Sequence, residues 1–131
     1  MKFELTASMM CANYGNLEKE VTELQNAGID SFHIDIMDGR YVPNFAMSLN
    51  DLRYIRSATD KPLDVHLMIV NPERYISDFI KAGADGITIH VEATENVDEC
   101  IDMIKSAGLK AGIAVNPETE LSAIDEYIDK V

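Results

Sequence analysis

One asymmetry constrains this chain more than any other feature. Its strand-like runs are apolar on one face and polar on the other. In Ser31–Met37, Phe32, Ile34 and Ile36 point one way, while His33, Asp35 and Met37 point the other. In Leu63–Ile69, Leu63, Val65 and Leu67 oppose Asp64, His66 and Met68. In Gly86–Val91, Ile87, Ile89 and Val91 oppose Thr88, His90 and the following Glu92. Phe3–Met10 sets Phe3, Leu5, Ala7 and Met9 against Glu4, Thr6, Ser8 and Met10, and Ala111–Asn116 sets Ala111, Ile113 and Val115 against Gly112, Ala114 and Asn116. A sheet covered by helices on both faces would be apolar on both. A one-sided pattern suits a barrel, with helices outside and side chains filling the interior. Inward polar groups are costly unless paired or used, so a functional site on that face is expected.

Helix-like runs fall between the strands, at about 15–27, 48–58, 72–82, 96–107 and 119–129, each with an apolar stripe at i, i+3 or i+4. Ala27-Gly28-Ile29-Asp30, Ala82-Gly83-Ala84-Asp85 and Ala107-Gly108-Leu109-Lys110 each predict a helix stop, because Gly takes the left-handed position just past a helix end. Strand-then-helix units recurring in this way imply a parallel sheet with right-handed crossovers. The expected fold class is α/β, a (β/α)8 TIM barrel represented by only about five βα units, with residues 1–131 as a single domain. A closed eight-stranded barrel takes roughly 200 residues or more. The expectation is therefore an N-terminal portion of a barrel. Such a portion is expected to be poorly soluble alone, because strands one and five are open edges.

The 131 residues carry 11 Lys+Arg against 23 Asp+Glu, a formal net charge of −12. The basic residues are scattered singly, so neither nucleic acid nor an anionic membrane surface is expected as a partner. A small anionic substrate remains compatible, since helix N-termini can hold one whatever the net charge. No apolar run of about 18 residues predicts a membrane span. The start Met1-Lys2-Phe3-Glu4-Leu5-Thr6 lacks the apolar stretch of a secretory leader. Two cysteines, Cys11 and Cys100, make no disulfide framework, and a cytoplasmic location is expected.

The polar face concentrates residues with chemistry. His33 and Asp35 stand at i and i+2 on one strand, and His66 falls at the matching level of the next. Two imidazoles and a carboxylate converging there suit a divalent metal such as Zn, Mn, Fe or Co. Three ligands leave room for a substrate oxygen or a fourth protein ligand. Ser8 ends strand one on the same face. Met10, Met37 and Met68 can form a dry, adaptable wall around a reacting carbon. His90 and Glu92 are expected to orient the metal ligands or to support the structure. Asp38-Gly39-Arg40-Tyr41-Val42-Pro43-Asn44 is a turn-rich loop after strand two. Asn71-Pro72-Glu73 and Asn116-Pro117 are expected to begin helices.

Several blocks occur in order: Ser8 with Met10-Cys11, His33-Ile34-Asp35-Ile36-Met37-Asp38-Gly39, Val42-Pro43-Asn44, Pro62-Leu63-Asp64-Val65-His66-Leu67-Met68, His90-Val91-Glu92 and Asn116-Pro117-Glu118-Thr119. In these the chain resembles the ribulose-phosphate 3-epimerase family over essentially its whole length. The resemblance implies a (β/α)8 barrel that epimerises carbon 3 of a ketose phosphate, ribulose 5-phosphate to xylulose 5-phosphate. In another branch the substrate is allulose 6-phosphate, converted to fructose 6-phosphate. It implies His33, Asp35 and His66 as ligands of one divalent metal ion (Zn, Mn, Fe, Co or Mg). Asp35 would also be the catalytic acid/base, Ser8 and His66 would contact substrate, and Met37 and Met68 would line the reacting carbon. It implies a small sugar phosphate as partner, a possible homo-oligomer of the full-length protein, and a second catalytic Asp on a later strand. An inactive fragment lacking that Asp is the alternative to an enzyme. Ser8-Met9-Met10-Cys11-Ala12-Asn13 stands where the family usually has Ser-x-Leu-Ser-Ala-Asp, and its Met-Cys pair is closer to the allulose-phosphate branch.

Overall fold

A computed structural model describes residues 3–131, so Met1 and Lys2, at the head of the segment read for a leader, lie outside the described residues. Five strands, β1 (Thr6–Ser8), β2 (Ser31–Met37), β3 (Leu63–Met68), β4 (Gly86–His90) and β5 (Lys110–Ala114), form one sheet in the order β1-β2-β3-β4-β5. Every neighbouring pair is parallel. Four α-helices connect them: α1 (Leu17–Asn26), α2 (Leu49–Ala58), α3 (Ile76–Ala82) and α4 (Val97–Ser106). The strand order never reverses, which is the winding of a barrel and not of a doubly wound sheet. The sheet is five strands of such a barrel.

The predicted asymmetry is what separates core from site. Phe32, Ile34, Leu63, Val65, Leu67, Ile87 and Ile89 on the helix-covered face are fully buried. Consecutive helices pack side by side over them, contributing Val21, Leu52, Ile55, Ile76, Ile101 and Ile104 to the same cluster. Each such side chain adds about 1.5–3 kcal/mol on burial. On the opposite face His33, Asp64, His66 and Thr88 are half-buried.

The helix stops fall where the sequence puts them, with Gly28, Gly83 and Gly108 all at positive φ. At Gly83, φ is 102° and an added Cβ would sit 2.6 Å from Arg56 Cδ, so both backbone and packing select glycine. Arg56 itself, in the last turn of α2, donates to Asp85 Oδ2 at 2.9 Å and to the Lys61 carbonyl at 2.9 Å. It also donates to the carbonyls of Thr59 and Gly83. Asp85 Oδ2 in turn accepts from the N–H of Leu63, the first residue of β3, at 2.9 Å. A capping box of Ser48 and Asp51 starts α2.

Several expectations need correction. Strand five, expected over Ala111–Asn116, is Lys110–Ala114, so Asn116 lies beyond it and Asn116-Pro117 opens a turn instead of a helix. Strand one is only Thr6–Ser8, because Ser8 Oγ accepts from the Met10 N–H and turns Met9–Cys11 into a 3-10 turn. Met9 is then buried and Met10 leaves the polar face of the sheet, 37% exposed. The helix expected over 72–82 divides at Tyr75 into a 3-10 turn, Pro72–Arg74, and α3, after Asn71 enters in the left-handed region at φ 51°. Strand four ends at His90, which places Glu92 in a 3-10 turn, Val91–Ala93. The helix expected over 119–129 is a 3-10 turn, Leu121–Ile124, followed by turns closed mostly by i to i+3 bonds. Leu121 and Ile128 remain 71% and 57% exposed, so much of its apolar stripe is unpacked although Tyr127 reaches the core cluster, and packing is what stabilises a short helix.

Leu63→Ala is expected to cost about 2–5 kcal/mol in urea unfolding, because it removes a fully buried side chain from the centre of the cluster. A change in the midpoint worth under about 1 kcal/mol would mean that the helices do not pack on this face as described.

Candidate active site and metal centre

The polar face gathers its chemistry toward the C-terminal ends of β1 to β4, the end at which barrels of this winding carry their sites. Parallel register fixes the levels: Ser8 lies opposite His33, Asp35 opposite His66, and Met37 opposite Met68. Asp35, 8% exposed, is the hub. Its Oδ1 lies 3.2 Å from His33 Nε2 and 3.3 Å from His66 Nδ1. Its Oδ2 accepts from Ser8 Oγ at 2.9 Å. One ligand-type atom from each of His33, Asp35 and His66 lies within 4.8 Å of the others.

The far side of each group is also held. His33 Nδ1 faces Asp64 Oδ2 at 3.2 Å, and His66 Nε2 faces His90 Nε2 at 2.8 Å. Imidazoles that bind metals commonly have a partner at the second nitrogen, which sets ring and tautomer. The two histidines are tuned in opposite directions. The Asp64 carboxylate, aided by Asp35, raises the pKa of His33 above its ordinary value against the effect of partial burial. Burial, with His90 alongside, lowers that of His66. The donor set of two imidazoles and a carboxylate, facing one another and braced from behind, fits a divalent cation. Met37 and Met68 sit one step further along the same face, half-buried at the strand ends.

Above the cluster, a second set of contacts ties three connections together. Tyr41, from the loop after β2, donates to Glu92 Oε2 at 3.1 Å and accepts from Asn116 Nδ2 at 2.8 Å. The Asn116 N–H donates to Glu92 Oε1 at 2.7 Å. The loop holding Tyr41 is knotted by Asp38, whose carboxylate accepts from the N–H groups of Arg40, Tyr41 and Val70. Gly39, at φ 70°, lies under the Phe45 ring, where a Cβ would come within 2.4 Å. Burial works against ionisation of Glu92, but bonds from Thr119, Asn116 and Tyr41 outweigh it and hold the carboxyl at about 2. Burial and Glu92 push the Tyr41 hydroxyl up to about 12.

Ser8, His33, Asp35 and His66 thus meet as one group, with Met37 and Met68 beside it. Asp64, Tyr41 and Asn116 were given no part in the site from sequence. For Asp64 the signal was available, since it shares a face with His33 and His66. The contact between Tyr41 and Asn116 joins residues far apart in the chain and had no local signature. A cleft of about 680 Å³ lies at the opposite end of the strands between Glu4, Asp30, Asp64 and Lys110. It contains none of the converging histidines. Among the described residues no helix is long and apolar enough to cross a membrane.

Because the Glu92 carboxyl is lowered in the folded chain, it contributes stability that is full above the unfolded value near 4.3 and is lost as pH falls toward 2. The stability difference between wild type and Glu92→Gln in urea is expected to stay level from pH 6 to about pH 5 and to shrink from there to pH 3. A difference that stays constant over that range would remove the ion from the network.

Residues 4–131 match the ribulose-phosphate 3 epimerase family. The chain is 45% identical over 129 residues to the chloroplastic ribulose-5-phosphate-3-epimerase of Arabidopsis thaliana, covering 97% of this chain and 46% of that protein. It is 40% identical to the ribulose-phosphate 3-epimerase of Bacillus subtilis, covering 96% of this chain and 58% of that one. For the enzyme of that name from Synechocystis the identity is 44%, over 92% and 53% of the two chains. The chain therefore spans about half the length of the curated relatives it matches. Among solved structures, 3-keto-L-gulonate-6-phosphate decarboxylase from Vibrio cholerae superposes with a TM-score of 0.75 at 13% identity, over 99% of this chain and 59% of that one. The tryptophan synthase α subunit of Legionella pneumophila gives 0.67 at 16%, over 99% and 59%. At such identities the likeness is one of fold, and it is to half of a longer chain. The sequence blocks, the strand winding and the family match agree: this chain belongs to the ribulose-phosphate 3-epimerase family.

Proposed function

We propose that this chain carries the base-bearing and metal-bearing part of a catalyst that inverts carbon 3 of ribulose 5-phosphate, giving xylulose 5-phosphate. The observation that carries the reading is the position of Asp35, touched by His33, His66 and Ser8 at 2.9–3.3 Å, in a chain whose relatives bear that name. The proton on carbon 3 lies next to the carbon-2 ketone, which makes it removable by a carboxylate. His33 Nε2, Asp35 Oδ1 and His66 Nδ1 would hold a divalent cation, which when bound would offset negative charge developing on the substrate's ketone and hydroxyl oxygens. Asp35 Oδ2, oriented by the Ser8 hydroxyl, is the oxygen that takes the carbon-3 proton. Met37 and Met68 close an apolar wall that keeps water from the carbon.

Inversion needs the proton returned on the opposite face by a second acid. In the family that acid is expected on a later strand. The 131-residue chain should therefore exchange the carbon-3 proton of ribulose 5-phosphate with deuterium without making xylulose 5-phosphate. Clear formation of xylulose 5-phosphate would remove the need for a second Asp. Asp35→Asn is expected to slow exchange by roughly 10²–10⁴-fold, the range for loss of a positioned base. Exchange at the wild-type rate would exclude Asp35 as the base.

His33→Ala and His66→Ala should each lose stoichiometric divalent metal, measured by elemental analysis after gel filtration. Full metal content in both would defeat the ligand assignment. The Met10-Cys11 pair after Ser8 favours a second reading, in which allulose 6-phosphate is the substrate. Parallel exchange assays on the two ketose phosphates separate them. Free Cys11 and Cys100 fit the reducing conditions of a cytoplasm.

A further inference from the structure

His90 has no part in the reaction proposed above, yet it is only 7% exposed and its ring lies edge to edge with that of His66, centroids 5.0 Å apart and planes within 15° of parallel. The two Nε2 atoms are 2.8 Å apart. At that distance one must donate and the other accept, since two bare or two protonated nitrogens would repel. The outer nitrogens decide the direction. His66 Nδ1 faces Asp35 Oδ1 at 3.3 Å. To offer a lone pair to a cation there, it must be bare, which leaves the His66 proton on Nε2. His90 must then accept at Nε2 and carry its own proton on Nδ1. That Nδ1 is buried, has no hydrogen-bond partner among the described residues, and faces Glu92 Oε2 at 3.5 Å. An anion that close favours the proton on the nitrogen facing it. Glu92 is in turn fixed at both oxygens, by the Asn116 N–H and by Tyr41, so its charge is held in place.

We propose that Glu92 and His90 form a tautomer relay that sets His66 as a ligand. Glu92 places the His90 proton on Nδ1, His90 Nε2 accepts from His66 Nε2–H, and His66 Nδ1 is left bare toward Asp35. The inference rests on the metal reading of His33, Asp35 and His66. His90 and Glu92 are positioning residues in it, and Tyr41 and Asn116 keep Glu92 in register. The relay makes the first cluster depend on the loop after β2 and on the end of β5, neither of which supplies a ligand.

The test reads tautomers directly. Two-bond 1H–15N correlations of the Zn2+-loaded 131-residue chain at pH 8, above the ordinary imidazole range, should show His90 protonated on Nδ1 and His66 on Nε2. The reverse pair overturns the relay. Co2+ titration followed by visible absorbance supplies a second readout. His90→Ala is expected to bind Co2+ roughly 10–100-fold more weakly, the usual effect of removing a partner behind a ligand. Glu92→Gln should weaken binding less and give His90 a mixture of tautomers. Folded variants that both bind Co2+ as wild type does would overturn the relay. Should His90→Ala fail to fold, the wild-type tautomers and Glu92→Gln decide it. Absence of Co2+ uptake by wild type would instead overturn the metal reading and the relay with it, whereas uptake by wild type with unaltered binding in both variants overturns the relay alone.

Discussion

The parallel pairing of β2 with β3 is the constraint on which the rest depends. It sets Asp35 opposite His66 and, two steps back, His33 opposite Asp64. Side chains alternate across a strand, so a slip of one residue would send the histidines under the helices and Ile34 and Val65 out of the core. The apolar face forbids that slip. Burial of Phe32, Ile34, Leu63 and Leu67 thus does more than hold the sheet together. It fixes the level at which two imidazoles and a carboxylate face one another.

Stability and chemistry are divided between the two faces of the same strands. The helix-covered face carries the apolar residues and can be rebuilt by volume-conserving changes. The other face carries groups whose protonation matters, and each is braced by an element different from its own. Ser8 of β1 and His66 of β3 hold Asp35, and Asp64 of β3 holds His33. His90 of β4 backs His66. Four adjacent strands must therefore be in register before the centre exists.

Much of this was legible in the sequence because it follows from alternation and punctuation. The strand levels of His33, Asp35 and His66, the one-sided core and the three glycine stops all follow from local rules, and each is found where expected. What was not legible depends on contacts between distant segments. Tyr41, in the loop after β2, and Asn116, past the end of β5, meet at 2.8 Å although 75 residues separate them in the chain. The shortness of β1 comes from a hydroxyl, Ser8 Oγ, taking a backbone N–H that a strand would have used. The helix expected over 119–129 has the right periodicity, but Leu121 and Ile128 stay largely exposed and add little packing to hold it.

Arg56 shows how such a sheet keeps its crossovers aligned. Its guanidinium reaches two carbonyls ahead of β3, the carbonyl at the end of α3 and the carboxylate at the start of β4. Lysine, a point charge with no planar fork, could not serve four acceptors spread over two junctions. A substitution there, remote from every histidine, would let two neighbouring loops drift independently. The damage would surface as misalignment at the far ends of the strands, where no altered side chain would be found.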